Sequence, residues 1–83
     1  MSTVTLRFFA AARAAAETDE RSFTFDDAVT ISAALERART SAADYDATMG
    51  RCSFLVNAIA TTDRGLLLGD GDVVDVLPPF AGG

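Results

Sequence analysis

Polar and apolar residues alternate from Thr3 to Phe9: Val4, Leu6 and Phe8 share one face, and Thr3, Thr5 and Arg7 the other. A period of two is that of a strand with one buried face. Ala10 to Ala16 is a run of strong helix formers, which predicts a short helical turn before the polar stretch Glu17-Thr18-Asp19-Glu20. Arg21 to Phe25 alternates again, with Phe23 and Phe25 inward. Thr30 is placed to cap a helix whose apolar positions Ile31, Ala34, Leu35 and Ala38 form one stripe, with Glu36, Arg37 and Arg39 on the other side. Thr40 to Gly50 carries no clear period and predicts an irregular turn closed by Gly50.

Phe54 to Asn57 predicts a third strand, followed by the turn-like Thr61-Thr62-Asp63-Arg64-Gly65 and the short apolar segment Leu66-Leu67-Leu68. Gly69-Asp70-Gly71-Asp72 predicts a tight turn. Val73 to Leu77 reads as the last strand, with Val74 and Val76 on one face and Asp75 and Leu77 on the other. Pro78-Pro79 removes two N–H donors and ends it. The order is strand, strand, helix, strand, short strand, strand. One main helix must then cover one face of a mixed sheet, with the first and last strands paired. This is an α+β chain of the β-grasp arrangement, expected as a single domain over residues 1–83 with a flexible tail from 78 to 83.

Composition narrows what such a domain does. At 83 residues and 49% hydrophobic content the chain holds one modest core. Its basic residues are seven arginines, with no lysine, against twelve Asp plus Glu, for a net charge of −5. An acidic surface repels a phosphate backbone, which argues against nucleic acid and for a protein partner with a basic docking groove. There is no histidine and only one cysteine, so the commonest general base and metal ligand are missing, as is any intrachain disulfide. Cys52, in the run Cys52-Ser53-Phe54-Leu55-Val56, reads as a half-buried strand cysteine. The N-terminal residues lack the pattern of a signal peptide, and no apolar run has the length of a membrane span. A cytoplasmic location away from membranes is expected.

The interior offers no catalytic set. Gly69-Asp70-Gly71-Asp72 lacks the later ligands of a calcium loop. The pairs Asp26-Asp27 and Asp44 with Asp46 fall in predicted loops or helix ends, where solvated carboxylates are routine. No metal and no bound cofactor are expected. The end of the chain is different. Pro78-Pro79-Phe80-Ala81-Gly82-Gly83 leaves a strand, stiffens through two prolines and closes on two residues without side chains. Such a backbone can thread a narrow channel, and it ends in an α-carboxylate that is ionised at neutral pH. Joined to AMP, that carboxylate gains a leaving group that sulfide or persulfide can displace to give a thiocarboxylate.

The residues Leu6-Arg7-Phe8-Phe9-Ala10 with Arg13, then Val56-Asn57, then Gly69-Asp70-Gly71-Asp72-Val73, then Leu77-Pro78-Pro79-Phe80-Ala81-Gly82-Gly83 resemble the MoaD family. These are the small subunits of molybdopterin synthase, within the MoaD/ThiS group of ubiquitin-like sulfur carriers. The resemblance implies a ubiquitin-like fold and a non-catalytic sulfur-donor subunit rather than an enzyme by itself. It implies that Gly83 is adenylated by a ubiquitin-activating-like adenylyltransferase using ATP and converted to a thiocarboxylate, with Gly82 beside it in the channel. The tail then enters the large subunit, MoaE, and gives sulfur to the molybdopterin dithiolene. Two large and two small subunits form the expected assembly. Phe9, Arg13, Leu77 and Phe80 match positions that meet partners. Carriers for cysteine or thiamine synthesis, a ubiquitin-like protein modifier and a β-grasp interaction module without sulfur chemistry stay open as alternatives.

Overall fold

The computed structural model describes residues 1–79; the predicted roles of Phe80, Gly82 and Gly83 lie outside the described residues. The strands are β1 (Ser2–Phe8), β2 (Glu20–Phe25), β3 (Val29–Thr30), β4 (Ser53–Val56), β5 (Ile59–Thr61), β6 (Leu67–Leu68) and β7 (Val73–Leu77). The helices are α1 (Ala10–Ala16), α2 (Ile31–Arg37) and α3 (Tyr45–Gly50). Five strands form one sheet in the order β2-β1-β7-β4-β5, and β3 and β6 make a separate two-stranded ladder. β1 and β7 run parallel while the other neighbours in the main sheet are antiparallel, so the sheet is mixed as expected.

The predicted strand phases hold. Val4, Leu6, Phe8, Phe54, Val74 and Val76 line the inner face, each at most 2% exposed. Ile31, Ala34, Leu35 and Ala38 of the α2 segment lie against them in the same core. The Thr30 hydroxyl accepts a hydrogen bond from the Ala33 amide at 3.0 Å, the expected cap. The expected main helix, α2, and the expected short helical turn, α1, are both present, and α3 joins them over the sheet.

Helices of six or seven residues are not stable alone, because nucleation cost outweighs so few bonds. Here a distant side chain finishes each one. Tyr45 donates from its hydroxyl to the Leu35 carbonyl at 2.6 Å, and Thr40 donates to the Ala15 carbonyl at 2.6 Å. Arg64 donates from Nη2 to the carbonyls of Met49 at 2.6 Å and Cys52 at 3.1 Å. Ala15, Leu35 and Met49 lie in the last turns of their helices, where carbonyls run out of intrahelical amides, and Cys52 is in the link from α3 to β4.

Three local expectations need correction. Thr40 to Gly50 is not an irregular turn throughout: Tyr45, Thr48 and Met49 are buried at helical spacing in α3. Thr61, expected in a turn, instead ends β5, which forms a hairpin with β4 in which Val56 lies opposite Ile59. The hairpin's two connecting residues, Asn57 and Ala58, have φ of 49° and 71°, the left-handed pair that a tight hairpin turn requires. Cys52 precedes β4 instead of lying in it. It is buried, and its thiol donates to the Thr48 carbonyl at 3.2 Å.

The Gly69–Asp72 turn clamps the start of the sheet. Gly71 sits at φ 86° and donates its amide to the Thr3 carbonyl at 2.8 Å, while the Thr3 amide donates to Asp70 at 2.8 Å. Asp72 accepts from the Gly69 amide at 2.8 Å and from the Asn57 side chain at 2.9 Å. These carboxylates serve the backbone, and among the described residues no His, Cys, Asp and Glu group is placed to hold a metal. Nor, among those residues, is any helix long and apolar enough to cross a membrane.

Candidate functional site

Parallel pairing of β1 and β7 delivers two chain exits to one corner. Phe8 lies level with Val76, so Phe9 and Leu77 leave their strands side by side, and the Phe9 amide donates to the Val76 carbonyl at 3.3 Å. Leu77 is also opposite Ser53 on β4. Between them opens an apolar groove of about 440 Å³, lined by Phe9, Ala10, Ala11, Ser53, Leu77, Pro78 and Pro79. A second hollow of about 320 Å³ begins at Ser53 and Leu77 and runs over Leu55 and Ala60 to Thr62. Pro79, the last described residue, lines the groove, so the chain leaves for Phe80 from its wall.

Phe9 is 41% exposed, a large cost in apolar surface for a fold whose core is complete without it. Leu77 was expected to face solvent. It lies on the outer face but is half-buried, because its neighbours wall the groove. Arg13 starts one helical turn from Phe9, with its amide donating to the Phe9 carbonyl at 3.3 Å. Its guanidinium is held elsewhere: Nε meets Asp19 Oδ1 at 2.9 Å, with both side chains mostly exposed. The fold therefore brings Phe9 and Leu77 into one groove and leaves the Arg13 head group outside its lining. Pattern reading missed Ala10 and Ala11, whose small side chains leave room for the groove. It also missed Ser53. Ala10 takes φ 49°, a left-handed conformation unusual for alanine, at the bend where β1 turns into α1.

Beneath the groove an ion pair fixes the two strands together. Arg7 donates from Nε and Nη2 to the two oxygens of Asp75 at 2.6 and 3.0 Å. Hydrogen bonding and charge from Asp75 raise the Arg7 pKa further above its usual value. The Asp75 side chain is only 13% exposed, so its charge is met by a two-pronged partner rather than by water. Cys52 is buried, and burial pushes its thiol pKa up, which lowers the thiolate fraction that reacts. Asp26 and Asp27 lie exposed in a bend, and Asp46 is paired with Arg39 at 2.7 Å.

A model of the ThiS family matches residues 6–83, from within β1 through the terminal glycines. The chain belongs to the ThiS family. No curated protein matches it. Among solved structures, a putative molybdopterin converting factor subunit 1 from Pyrococcus furiosus is 22% identical. Its TM-score is 0.77, and the match covers 96% of this chain and 100% of that one. The small archaeal modifier protein 1, SAMP1, from Haloferax volcanii is 22% identical over 99% of this chain and 100% of that one, at TM-score 0.78. In a protein–protein complex of subunits 1 and 2 of molybdopterin-converting factor from Helicobacter pylori, the matched chain is 22% identical. There the TM-score is 0.65, with coverage of 98% and 99%. These likenesses establish the ubiquitin-like β-grasp fold for this ThiS-family chain.

Proposed function

We propose that this chain is the sulfur-carrier subunit of a molybdopterin synthase, with Gly83 as the residue that bears the sulfur. The observation that carries the reading is that Leu77, Pro78 and Pro79 wall an exposed apolar groove directly before the sequence Phe80-Ala81-Gly82-Gly83. A ThiS-type domain needs neither feature to fold. Together they suit a tail that is presented to one protein after another.

The Gly83 carboxylate attacks the α-phosphorus of ATP on an activating enzyme, releasing pyrophosphate and forming an acyl-adenylate. Sulfide adds to that carbonyl and expels AMP, leaving a thiocarboxylate; a persulfide expels AMP to give an acyl disulfide, whose S–S bond a second thiol cleaves to release the thiocarboxylate and a disulfide. On the large subunit the thiocarboxylate sulfur is transferred to the pyranopterin precursor, and water restores the carboxylate. Gly82 and Gly83 let the backbone pass a narrow channel. Phe9, Leu77 and Phe80 supply apolar contact around its mouth, where aromatic anchors commonly carry interface energy. Pro78-Pro79 limits the directions in which the tail can leave. ATP belongs to the activating enzyme, and the assembly proposed is two small with two large subunits in the cytoplasm.

The likeness to SAMP1 favours one second reading, a ubiquitin-like modifier whose Gly83 is joined to a lysine amine on a target. This sequence holds no lysine, so another copy of it offers no lysine side chain as a target. Thiocarboxylated protein mixed with a purified large subunit and the pyranopterin precursor separates the two. The carrier reading expects dithiolene formation with loss of sulfur from Gly83. Failure to form dithiolene, with Gly83 instead recovered in isopeptide bonds to lysines of other proteins, would favour the modifier.

A further inference from the structure

Most arginines are already engaged. Arg7 is bound to Asp75, Arg13 to Asp19, and Arg39 to both Glu36 and Asp46. Arg64 donates to backbone carbonyls. Among the described residues, Arg21, Arg37 and Arg51 meet no carboxylate at salt-bridge distance, although the chain carries a net charge of −5. Two of these three share one support. The guanidinium carbons of Arg21 and Arg37 lie 4.7 and 5.2 Å from the centre of the Phe23 ring. The ring's electron-rich faces attract each cation, but among the described residues neither positive charge is neutralised by a carboxylate. Phe23 is buried beneath them and both arginines are exposed.

These cations border a free strand edge. β2 is the last strand on its side of the sheet, and it pairs with β1 without a break from Glu20 to Phe25. It holds no proline and no glycine, and among the described residues no backbone group outside β1 bonds to Arg21–Phe25. The opposite edge, β5, is only three residues long. Edges of regular geometry are normally shortened, bent or covered, since unpaired N–H and C=O groups recruit other strands.

We propose that the free edge of β2 receives an extended acidic segment of a partner protein as a sixth strand. Its backbone pairs with Arg21–Phe25, and its carboxylates engage Arg21 and Arg37. Strand addition supplies backbone hydrogen bonds, and the arginine pair selects the charge of the incoming segment. A second copy of this chain suits the edge less well, because it brings the same unpaired arginines to the same rim. β1 separates β2 from β7, so a partner held here does not cover the groove at Phe9 and Leu77. The site stands independently of the sulfur-carrier reading.

A direct test is an NMR titration of the whole 15N-labelled protein. The probe is a synthetic decapeptide with blocked ends that alternates valine with aspartate or glutamate. The expected result is chemical-shift change concentrated on the amides of residues 20–25, with binding weakened by added salt. Arg21→Glu should weaken binding by at least about tenfold, whereas Arg51→Glu, the same charge change elsewhere, should not. Thermal melts confirm that each variant folds; if Arg21→Glu does not, Arg21→Gln with Arg37→Gln should still weaken binding. A peptide with lysines in place of the acids should not bind. Unchanged β2 amides at millimolar peptide, or equal weakening by Arg21→Glu and Arg51→Glu, would overturn the proposal. Shifts gathered around Phe9 and Leu77, or β2 shifts that depend on protein concentration without peptide, would overturn it too.

Discussion

The inner face of β1 and β7 and the corner where the two strands end are built from the same residue types to opposite effect. Val4, Leu6, Phe8, Val74 and Val76 are sealed beneath helices. One residue further along, Phe9 stands exposed, and Leu77 forms one wall of an open groove with Pro78 and Pro79. The inner face is explained by folding: alternation puts apolar side chains where three short helices can cover them. Folding does not explain the corner. A strand that only had to end could do so in a polar turn, so the apolar cluster there points to a surface that is covered by another molecule.

The sharpest way to break this contrast is to empty the inner face. Leu6→Ala or Phe54→Ala should cost roughly 3–5 kcal/mol of folding stability, because each leaves a cavity that packed neighbours cannot fill. Denaturant titration reads the loss. A cost similar to that of an exposed threonine would mean that the face is not the core.

Alkaline pH probes the same interior. Burial pushes the Tyr45 pKa up to about 12, and burial also raises the Cys52 thiol. The unfolded chain loses the Tyr45 proton first, near pH 10, so between pH 10 and about 12 it binds fewer protons than the folded chain. Stability contributed by neutral Tyr45 is therefore complete below pH 10 and lost as pH rises toward 12. Melting temperature should fall over that interval, and the fall should be shallower in Tyr45→Phe measured against its own value at pH 8. An identical slope in the two proteins would contradict the assignment.

Smaller changes act at the rim. Ala58 holds φ 71° in the β4–β5 turn, where glycine is unstrained, so Ala58→Gly should stabilise the protein by roughly 0.5–1 kcal/mol. A loss of stability would show that the turn is not the left-handed pair described. Leu77→Asp, at a half-buried position, should cost the fold no more than about 1 kcal/mol while sharply weakening binding to the proposed large subunit, since a charge would be buried unpaired there. Calorimetric titration beside thermal melts distinguishes the two effects. Unchanged binding, or an unfolded domain, would remove Leu77 from the docking surface.

The same turn shows why part of the fold was hard to read. Asn-Gly between alternating segments announces a tight hairpin; Asn57-Ala58 adopts the same geometry without the glycine that signals it, so nothing in the pattern announced β5. α3 hid for a related reason: its buried set is Tyr45, Thr48 and Met49, and the threonine breaks what would otherwise be an apolar stripe. β3 has two residues, too short to show any period, and exists because Val29 is buried opposite Leu68 of β6, the short strand that Leu66-Leu67-Leu68 did announce. By contrast Val4-Leu6-Phe8 and Ile31-Ala34-Leu35-Ala38 were long enough for their spacing to declare both element and face. At the corner, Phe9 and Leu77 are far apart in sequence and become neighbours only through the parallel pairing of β1 and β7. Arg13 also looked like part of that surface, and only coordinates reveal its guanidinium turned to Asp19.

In the proposed function the chemistry sits at Gly83 and not within the folded body. Intact and peptide-level mass spectrometry, on protein made together with an activating enzyme and a sulfur source, tests it most directly. The account predicts replacement of one oxygen by sulfur, confined to the peptide ending in Gly83. Deleting Gly83 should abolish that change while leaving the melting temperature unaltered. Sulfur found on Cys52, or an unmodified terminus under conditions that convert a known carrier, would contradict it.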